Sequence, residues 1–419
     1  MVSLDWTGDE RGDAIFRSTE GQRGLPRWFA VMFRAVARLD CGALEWQTPD
    51  GRVFRAEGAR PGPEARIVAH DPRMFGRILR HGNLGFCEAY MDGWWSAEPN
   101  LQAVMDVILL NNERVAHSIP GGAVVRAANR FRHWLNRNSK TGAKRNIQAH
   151  YDLSNAFYAL WLDPSMTYSS ALFESEEQSL EAAQTAKYAS ICDRMGLKPG
   201  DHVLEIGCGW GGFAEYAAGA RGARVTGLTI SPSQLAFAQA RIAKAGLSDR
   251  VELVLRDYRD ETGAYDGVAS IEMFEAVGEA YWPSYFDAVR DRLKPGARAS
   301  LQIITIEDRL FESYRRKVDF IQKYVFPGGM LPSPSALRRE TARAGLEWEG
   351  ELSFGESYSR TLRDWADRFN GVWAEIETLE GARPFDERFQ RLWNMYLASC
   401  AACFRAGTTD VKQVTLRRA

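Results

Sequence analysis

The chain has 419 residues and a formal net charge of −1. That length accommodates two domains and a sizeable core, and that charge balance gives no overall pull toward nucleic acid. No apolar run approaches the roughly 20 residues needed to span a bilayer, and the acidic opening MVSLDWTGDERGD does not read as a signal peptide.

Residues 1–115 read as a small N-terminal α+β domain. GALEWQTPDGRVFRAEG alternates polar and apolar residues around Pro-Asp-Gly, a hairpin signal. DPRMFGRILRHGNLGFCEAYMDGWW predicts a helix, a glycine break and a second apolar segment, and LQAVMDVILLNN predicts an amphipathic helix. No catalytic motif is visible in this region.

Residues 116–147 differ sharply, because no acid occurs between Glu113 and Asp152. The stretch carries Arg126, Arg130, Arg132, Arg137, Lys140, Lys144 and Arg145, and Val124, Ala128, Phe131 and Leu135 recur at helical spacing beside Trp134. A basic linker helix of this kind suits an anionic membrane surface, where each basic side chain contributes about 1 kcal/mol. A solvated helix packed on its own protein is the alternative reading.

Residues 148–419 read as the catalytic unit. DLSNAFYALWL predicts a helix capped by Asp152 or Ser154, and SLEAAQTAKYASICDRMG predicts a second that ends at Gly196. HVLEIG, ARVTGLTI, RVELVLRD, YDGVASIE and RASLQIITI predict successive strands with helices between most of them. That alternation implies an α/β fold with a mainly parallel, Rossmann-like sheet covered on both faces, and ligands beyond the carboxyl ends of its strands. The six cysteines (Cys41, Cys87, Cys192, Cys208, Cys400 and Cys403) are scattered, as in a cytosolic chain with reduced thiols. Cys400 and Cys403 form C-x-x-C inside a helical run and read as small packing residues, with no metal site expected.

The most informative run is VLEIGCGWGGFAEYAA. A strand delivers Glu205; then come Gly207, Gly209, Gly211 and Gly212, and then a helix. Glycines allow a tight turn and close approach to a ligand, and the helix start offers free N–H groups. The form E-x-G-x-G suits S-adenosylmethionine better than a dinucleotide; a ligand-free strand-to-helix turn is the plain alternative. At the end of the next strand, Thr229 and Gln234 can hold ribose hydroxyls by neutral hydrogen bonds, unless Gln234 is simply an exposed helix residue. Asp257 and Tyr258 can read and cover an adenine, or be ordinary loop residues. In SIEMFEAVG, Glu272 and Glu275 lie three apart among apolar residues. A buried acid there needs a partner: a cation, a bound anion with its proton, or a hydrogen-bond network.

EAYMDGWW, HYDLSNAFYALWLDPSMTYSS, LEIGCGWGGFAEYAA, LTISPSQLAFA, RDYRD, MFEAVG, YVFPGGMLPS, ESYSRTL and LWNMYLASCAACFRAG together resemble segments of the cyclopropane fatty acid synthases and their mycolic acid cyclopropane synthase relatives. The resemblance runs from about residue 85 to the end. It implies a class I methyltransferase domain that uses S-adenosylmethionine to add one carbon to cis double bonds of acyl chains. It also implies an N-terminal lipid-associated domain, work on membrane phospholipids from the cytoplasmic face, and room for a homodimer. Carried over by position, Tyr168 and Ser169 would meet the cofactor together with Glu205, Gly207, Gly209, Thr229, Gln234, Asp257 and Tyr258. Ser170, Glu275, Gln302, Ile304 and Tyr358 would form a pocket for bicarbonate, the base that removes the proton.

Three positions depart from the family pattern: Ser170 stands where Cys is usual, and Ala276 and Gln302 where His is usual. The implied pocket keeps a carboxylate and a phenol and lacks imidazole and thiol. A cation formed by methyl transfer to an alkene can then shift a hydride before losing its proton. The product expected on that basis is a cyclopropane or a methyl- or methylene-branched chain, such as a furan fatty acid precursor, with the departures favouring the branched chain. A small-molecule methyltransferase acting on an amine or a sterol, and a non-catalytic lipid-binding protein, are the competing readings.

Overall fold

The computed structural model describes residues 7–8, 14–111, 153–381 and 384–419. The basic segment 116–147 and Asp152 lie outside the described residues. Two compact units divide the chain.

In the first unit six strands form one sheet in the order β1-β2-β4-β3-β5-β6: β1 (Thr7–Gly8), β2 (Ala14–Phe16), β3 (Cys41–Gln47), β4 (Val53–Glu57), β5 (Arg60–Ala69) and β6 (Trp95–Glu98). β3 and β4 pair antiparallel through the Pro-Asp-Gly turn. Gly51 adopts φ 88 there, and its N–H donates to the Thr48 carbonyl at 2.8 Å. The helix Arg73–Met91 is broken at Gly82 (φ 60, ψ −138), where the sequence predicted a glycine break. The helix Leu101–Leu110 is capped by the Asn100 side chain, which accepts from the Ala103 N–H at 2.9 Å.

The helix Glu387–Arg405, which carries Cys400 and Cys403, falls in the first compact unit, although it lies within the stretch 148–419 expected to form the catalytic unit. Its buried face presents Phe389, Trp393 and Leu397, and Arg405 pairs with the buried carboxylate of Asp106 at 2.5 Å. Burying Asp106 without a cation would be costly, so the pair ties this distant helix to the helix Leu101–Leu110. Cysteines 41, 87, 192, 208, 400 and 403 are all free thiols.

The second unit holds a seven-stranded sheet. β7 (His202–Ile206), β8 (Arg224–Thr229), β9 (Val251–Leu255), β10 (Tyr265–Ile271) and β11 (Leu293–Ile306) are the strands read from sequence, and they run parallel. β12 (Leu346–Ser353) and β13 (Thr409–Arg418) add antiparallel at the β11 side. The order is β12-β13-β11-β10-β7-β8-β9. The chain leaves β7 toward β8 and β9 and returns on the other side through β10, so a switch point lies between β7 and β10, where ligands of such sheets bind.

Period-2 alternation splits the strands between two cores. Leu204 and Ile206 face one with Tyr285, Phe286 and Val289 of the helix Trp282–Arg292. Val203 faces the other with Ile191, Phe213 and Ala217. Glu205, in phase with Val203, points to that second side. Ser231 caps the helix Pro232–Lys244 through the Gln234 N–H, a device worth about 1 kcal/mol. Among the described residues, no helix is long and apolar enough to cross a membrane.

Candidate active site

The glycine loop takes its shape from backbone torsions. Gly207, Gly209 and Gly211 have φ of 85, 51 and 83, a region that costs other residues about 1–2 kcal/mol. A Cβ on Gly207 would stand 2.8 Å from Met273 Cγ, whereas one on Gly209 would meet nothing within 4 Å. Gly209 therefore faces open space beside the start of the helix Gly212–Arg221. The Gly207 and Cys208 N–H groups donate to the Leu228 carbonyl, at 3.0 and 2.8 Å, which pins the loop to the end of β8.

Glu205 is buried beneath this loop, and its Oε2 has no hydrogen-bond partner. Burial pushes its carboxyl up to about 8, against the pull of Lys187. Lys187 is fully buried and donates to Ser169 Oγ and Gln184 Oε1, both at 2.7 Å. Its ammonium is pushed down by burial, with Glu272, Asp163 and Glu205 opposing. An unpartnered acid beside an open glycine face fits a cofactor that brings its own donors. Thr229 Oγ1 donates to Gln234 Oε1 at 3.2 Å, and both residues are buried. Gln234 is thus not an exposed helix residue. Asp257 is engaged by Arg259, through Nε at 2.8 Å and Nη2 at 2.5 Å, and caps the turn Tyr258–Asp260. Tyr258 packs edge-on against Tyr285.

Tyr168 sits in an aromatic group, with ring centroids 5.3 Å from Tyr158, 5.7 Å from Trp161 and 5.3 Å from Trp365. Trp365 lies edge-on to Tyr358 at 6.3 Å. Both belong to the helix Gly355–Gly371, whose Thr361 and Ser357 hydroxyls accept from the Ala171 and Phe173 N–H groups at 3.1 Å. These bonds hold the 171–173 segment against that helix.

The residues expected around Glu275 are divided between two acids. Glu272, just past β10, accepts from the Ser170 N–H at 2.8 Å, from Gln302 Nε2 at 2.8 Å and from the Tyr358 hydroxyl at 2.6 Å. Glu275 accepts from the Ile304 N–H at 2.5 Å, and its Oε2 is buried without a partner. The Ser170 hydroxyl donates to the Ala171 carbonyl at 2.9 Å, so it is the backbone of Ser170 that faces the acid. Burial, with the neighbouring Glu272 charge adding to it, pushes Glu275 up to about 8. Burial also raises Glu272, but Tyr358, Gln302, Ser170 and Lys187 favour its charged form. Burial thus raises both carboxyls, and the two acids differ in their partners: three donors converge on Glu272, whereas Glu275 accepts from the Ile304 N–H.

Two contributors escaped sequence reasoning. Gln413 of β13 faces Gln302 in register and donates Nε2 to Gln302 Oε1 at 3.1 Å, while accepting from Ser190 Oγ at 2.6 Å. That bond orients the Gln302 amide so that its NH2 points at Glu272. Lys187 is the other, in a helix whose sequence signals only packing. Glu272 itself was visible as an acid in an apolar run, but its donors come from positions 170, 302 and 358.

A family model described as mycolic acid cyclopropane synthetase matches residues 138–414. A tuberculostearic acid methyltransferase of Mycobacterium tuberculosis is 39% identical over 385 residues, covering 87% of this chain and 86% of the relative. A cyclopropane-fatty-acyl-phospholipid synthase of Escherichia coli is 37% identical over 362 residues, covering 84% and 88%. Among solved structures, a mycolic acid cyclopropane synthase complexed with SAH and CTAB superposes with a TM-score of 0.61 at 30% identity, covering 65% of this chain and 98% of that one.

Proposed function

Because this chain belongs to the mycolic acid cyclopropane synthetase family and is an S-adenosylmethionine-dependent methyltransferase of lipid modification, we propose that it adds one carbon to a double bond in unsaturated acyl chains of membrane phospholipids. The product we favour is a methyl- or methylene-branched chain. The observation that carries this reading is the pair of buried carboxylates, Glu272 and Glu275, at the ends of β10 and β11, in the unit that also carries the glycine loop and the aromatic group around Tyr168. Methyl transfer to an alkene leaves a cation that must lose a proton, and such a reaction calls for a buried base and aromatic faces. The relative named for tuberculostearic acid supports a methyl-branched product.

In this reading the bound cofactor supplies an electrophilic sulfonium methyl. Gly207 and Gly209 let the backbone approach it, Glu205 Oε2 accepts one of its donors, and Thr229 and Gln234 hold its ribose. Asp257 and Tyr258 flank its adenine, and Tyr168 and Ser169 close over it. Tyr158, Trp161, Tyr168 and Trp365 form an apolar wall that excludes water and offers π faces to the cation. Ser170, Gln302 and Tyr358 hold the Glu272 carboxylate, and Ile304 holds Glu275 beside it. The basic segment 116–147 would bring the protein to an anionic membrane surface, with the first unit lipid-associated and the protein peripheral on the cytoplasmic face.

The test is a product structure. The protein is incubated with S-adenosylmethionine and vesicles of cis-monounsaturated phospholipid, and the acyl chains are analysed by mass spectrometry and proton NMR. A mass gain of one methylene group with vinylic methylene protons is the expected result. Upfield ring protons would replace the branched product by a cyclopropane. Turnover of amines or sterols with no change in the acyl chains would overturn the lipid reading.

A further inference from the structure

The pocket implied for bicarbonate does not fit a free anion in this chain. The Ser170 N–H, the Gln302 amide and the Tyr358 hydroxyl already converge on one side-chain carboxylate, that of Glu272. A tethered carboxylate competes with a dissolved ion at a high effective concentration. A bicarbonate beside it would also meet like charge in a buried site. We propose that Glu272 is the base that takes the proton in this reaction, a carboxylate of the chain held where a bound bicarbonate would otherwise act, so that turnover needs no bicarbonate. The proposal rests on the alkene-methylation reading above.

Three features of the site support it. Glu272 has φ 49, a left-handed conformation that costs a residue with a Cβ about 1–2 kcal/mol. Its N–H donates to the Gln302 carbonyl at 2.9 Å, so the strained residue is fixed to β11 at the backbone as well as through its side chain. Strain that the surroundings over-determine is characteristic of functional positions. Second, the three donors stabilise the ionised carboxylate: Ser170 and Gln302 both bond Oε1 and Tyr358 bonds Oε2, which leaves an acceptor site on Oε2 for the proton. Third, Gln413 holds the Gln302 amide in the one orientation that donates to Glu272. Gln413 acts through Gln302 and is a positioning residue.

The step balances without another reactant. The alkene π pair forms the carbon–carbon bond to the incoming methyl, the sulfur–carbon pair leaves as the lone pair of a neutral thioether, and the adjacent carbon becomes cationic. A Glu272 oxygen takes one proton from the new methyl group. The freed C–H pair closes a ring onto the cation or, after a hydride shift from the methyl-bearing carbon, forms a methylene double bond. The proton then leaves Glu272 for solvent.

The test removes the tether and offers the free ion. Glu272→Gly suits the local backbone, since glycine accepts positive φ without strain, and vacates the cradle. Wild-type turnover on phospholipid vesicles should be the same in bicarbonate-depleted and bicarbonate-supplemented buffer, and isotopically labelled bicarbonate should show no bound NMR signal. Glu272→Gly should lose at least about 100-fold in turnover, regain part of it with added bicarbonate or formate, and bind the labelled ion. Glu272→Gln, which keeps the shape, should lose turnover to a similar extent while calorimetry shows unchanged cofactor affinity. Labelled bicarbonate bound by the wild type, or full turnover of Glu272→Gly without added anion, would overturn the proposal. If the wild type modifies no acyl chain, the alkene reading fails, and the labelled-ion measurement still decides whether the cradle is already filled.

Discussion

The two sides of the switch point in the parallel sheet are built by different means. Beyond β7 and β8 the site is mostly backbone: glycines at positive φ, an open face at Gly209, and N–H groups donating to the Leu228 carbonyl. Beyond β10 and β11 it is mostly side chains, with Gln302, Tyr358 and Gln413 joining the Ser170 N–H around Glu272. A backbone site needs small residues at close spacing along one segment, so the chain carries it as a motif. A side-chain network draws on residues hundreds of positions apart, so no single segment carries it.

The sharpest way to break the first side is Gly207→Val. A β-branched residue at φ 85, aimed at Met273, should abolish measurable cofactor binding in calorimetry and lower the unfolding midpoint. Retained cofactor affinity would mean that the loop does not shape that site. On the second side, Gln413→Leu leaves the buried Gln302 Oε1 without its donor, a loss of about 1–3 kcal/mol in unfolding free energy. Turnover should fall with KM little changed, because the Gln302 amide no longer has a fixed orientation. A KM effect alone would place Gln413 outside the network.

The two acids should then separate by mutation. Glu275→Gln keeps a neutral donor and should cost turnover less than Glu272→Gln does; the reverse order would restore Glu275 as the base. The pH dependence of stability follows from the same pair. Glu275 and Glu205 are each raised from 4.5 to about 8, so the native state keeps protons that the unfolded chain has lost. Their contribution is complete below about 4.5 and is lost as pH rises through about 8. Urea midpoints at pH 6 and pH 8 should therefore differ less in Glu275→Gln than in the wild type. The smallest effect concerns the basic segment, where reversing charge at Arg126, Arg130 and Arg137 should weaken binding to anionic vesicles and make it less salt-sensitive. Unchanged vesicle sedimentation would remove that segment from the lipid interface.

Much of the second unit was legible in the chain. The five parallel strands emerged from apolar runs separated by helical periods, and the glycine loop from E-x-G-x-G. β12 and β13 did not, because LEWEGELS and TDVKQVTLRR mix charges with short apolar stretches that become strands only when paired beside β11. The helix Glu387–Arg405 was legible as a helix, but that it falls in the first compact unit was not. Its apolar face says that it is buried, not against what.

The sequence by itself determined what is local: the hairpin turn at Pro-Asp-Gly, the break at Gly82, the glycine loop and the cap at Ser231. Each depends on torsion preferences or hydrogen bonds within a few residues. Tertiary structure alone decided that Tyr358, Gln302 and Ser170 meet Glu272 rather than Glu275, that Gln413 orients the Gln302 amide, and that Lys187 and Glu205 share a buried interior. Those outcomes depend on which side chains are brought within about 3 Å after the sheet is assembled. In that low-dielectric interior, distance and the number of donors set where protons and charges rest.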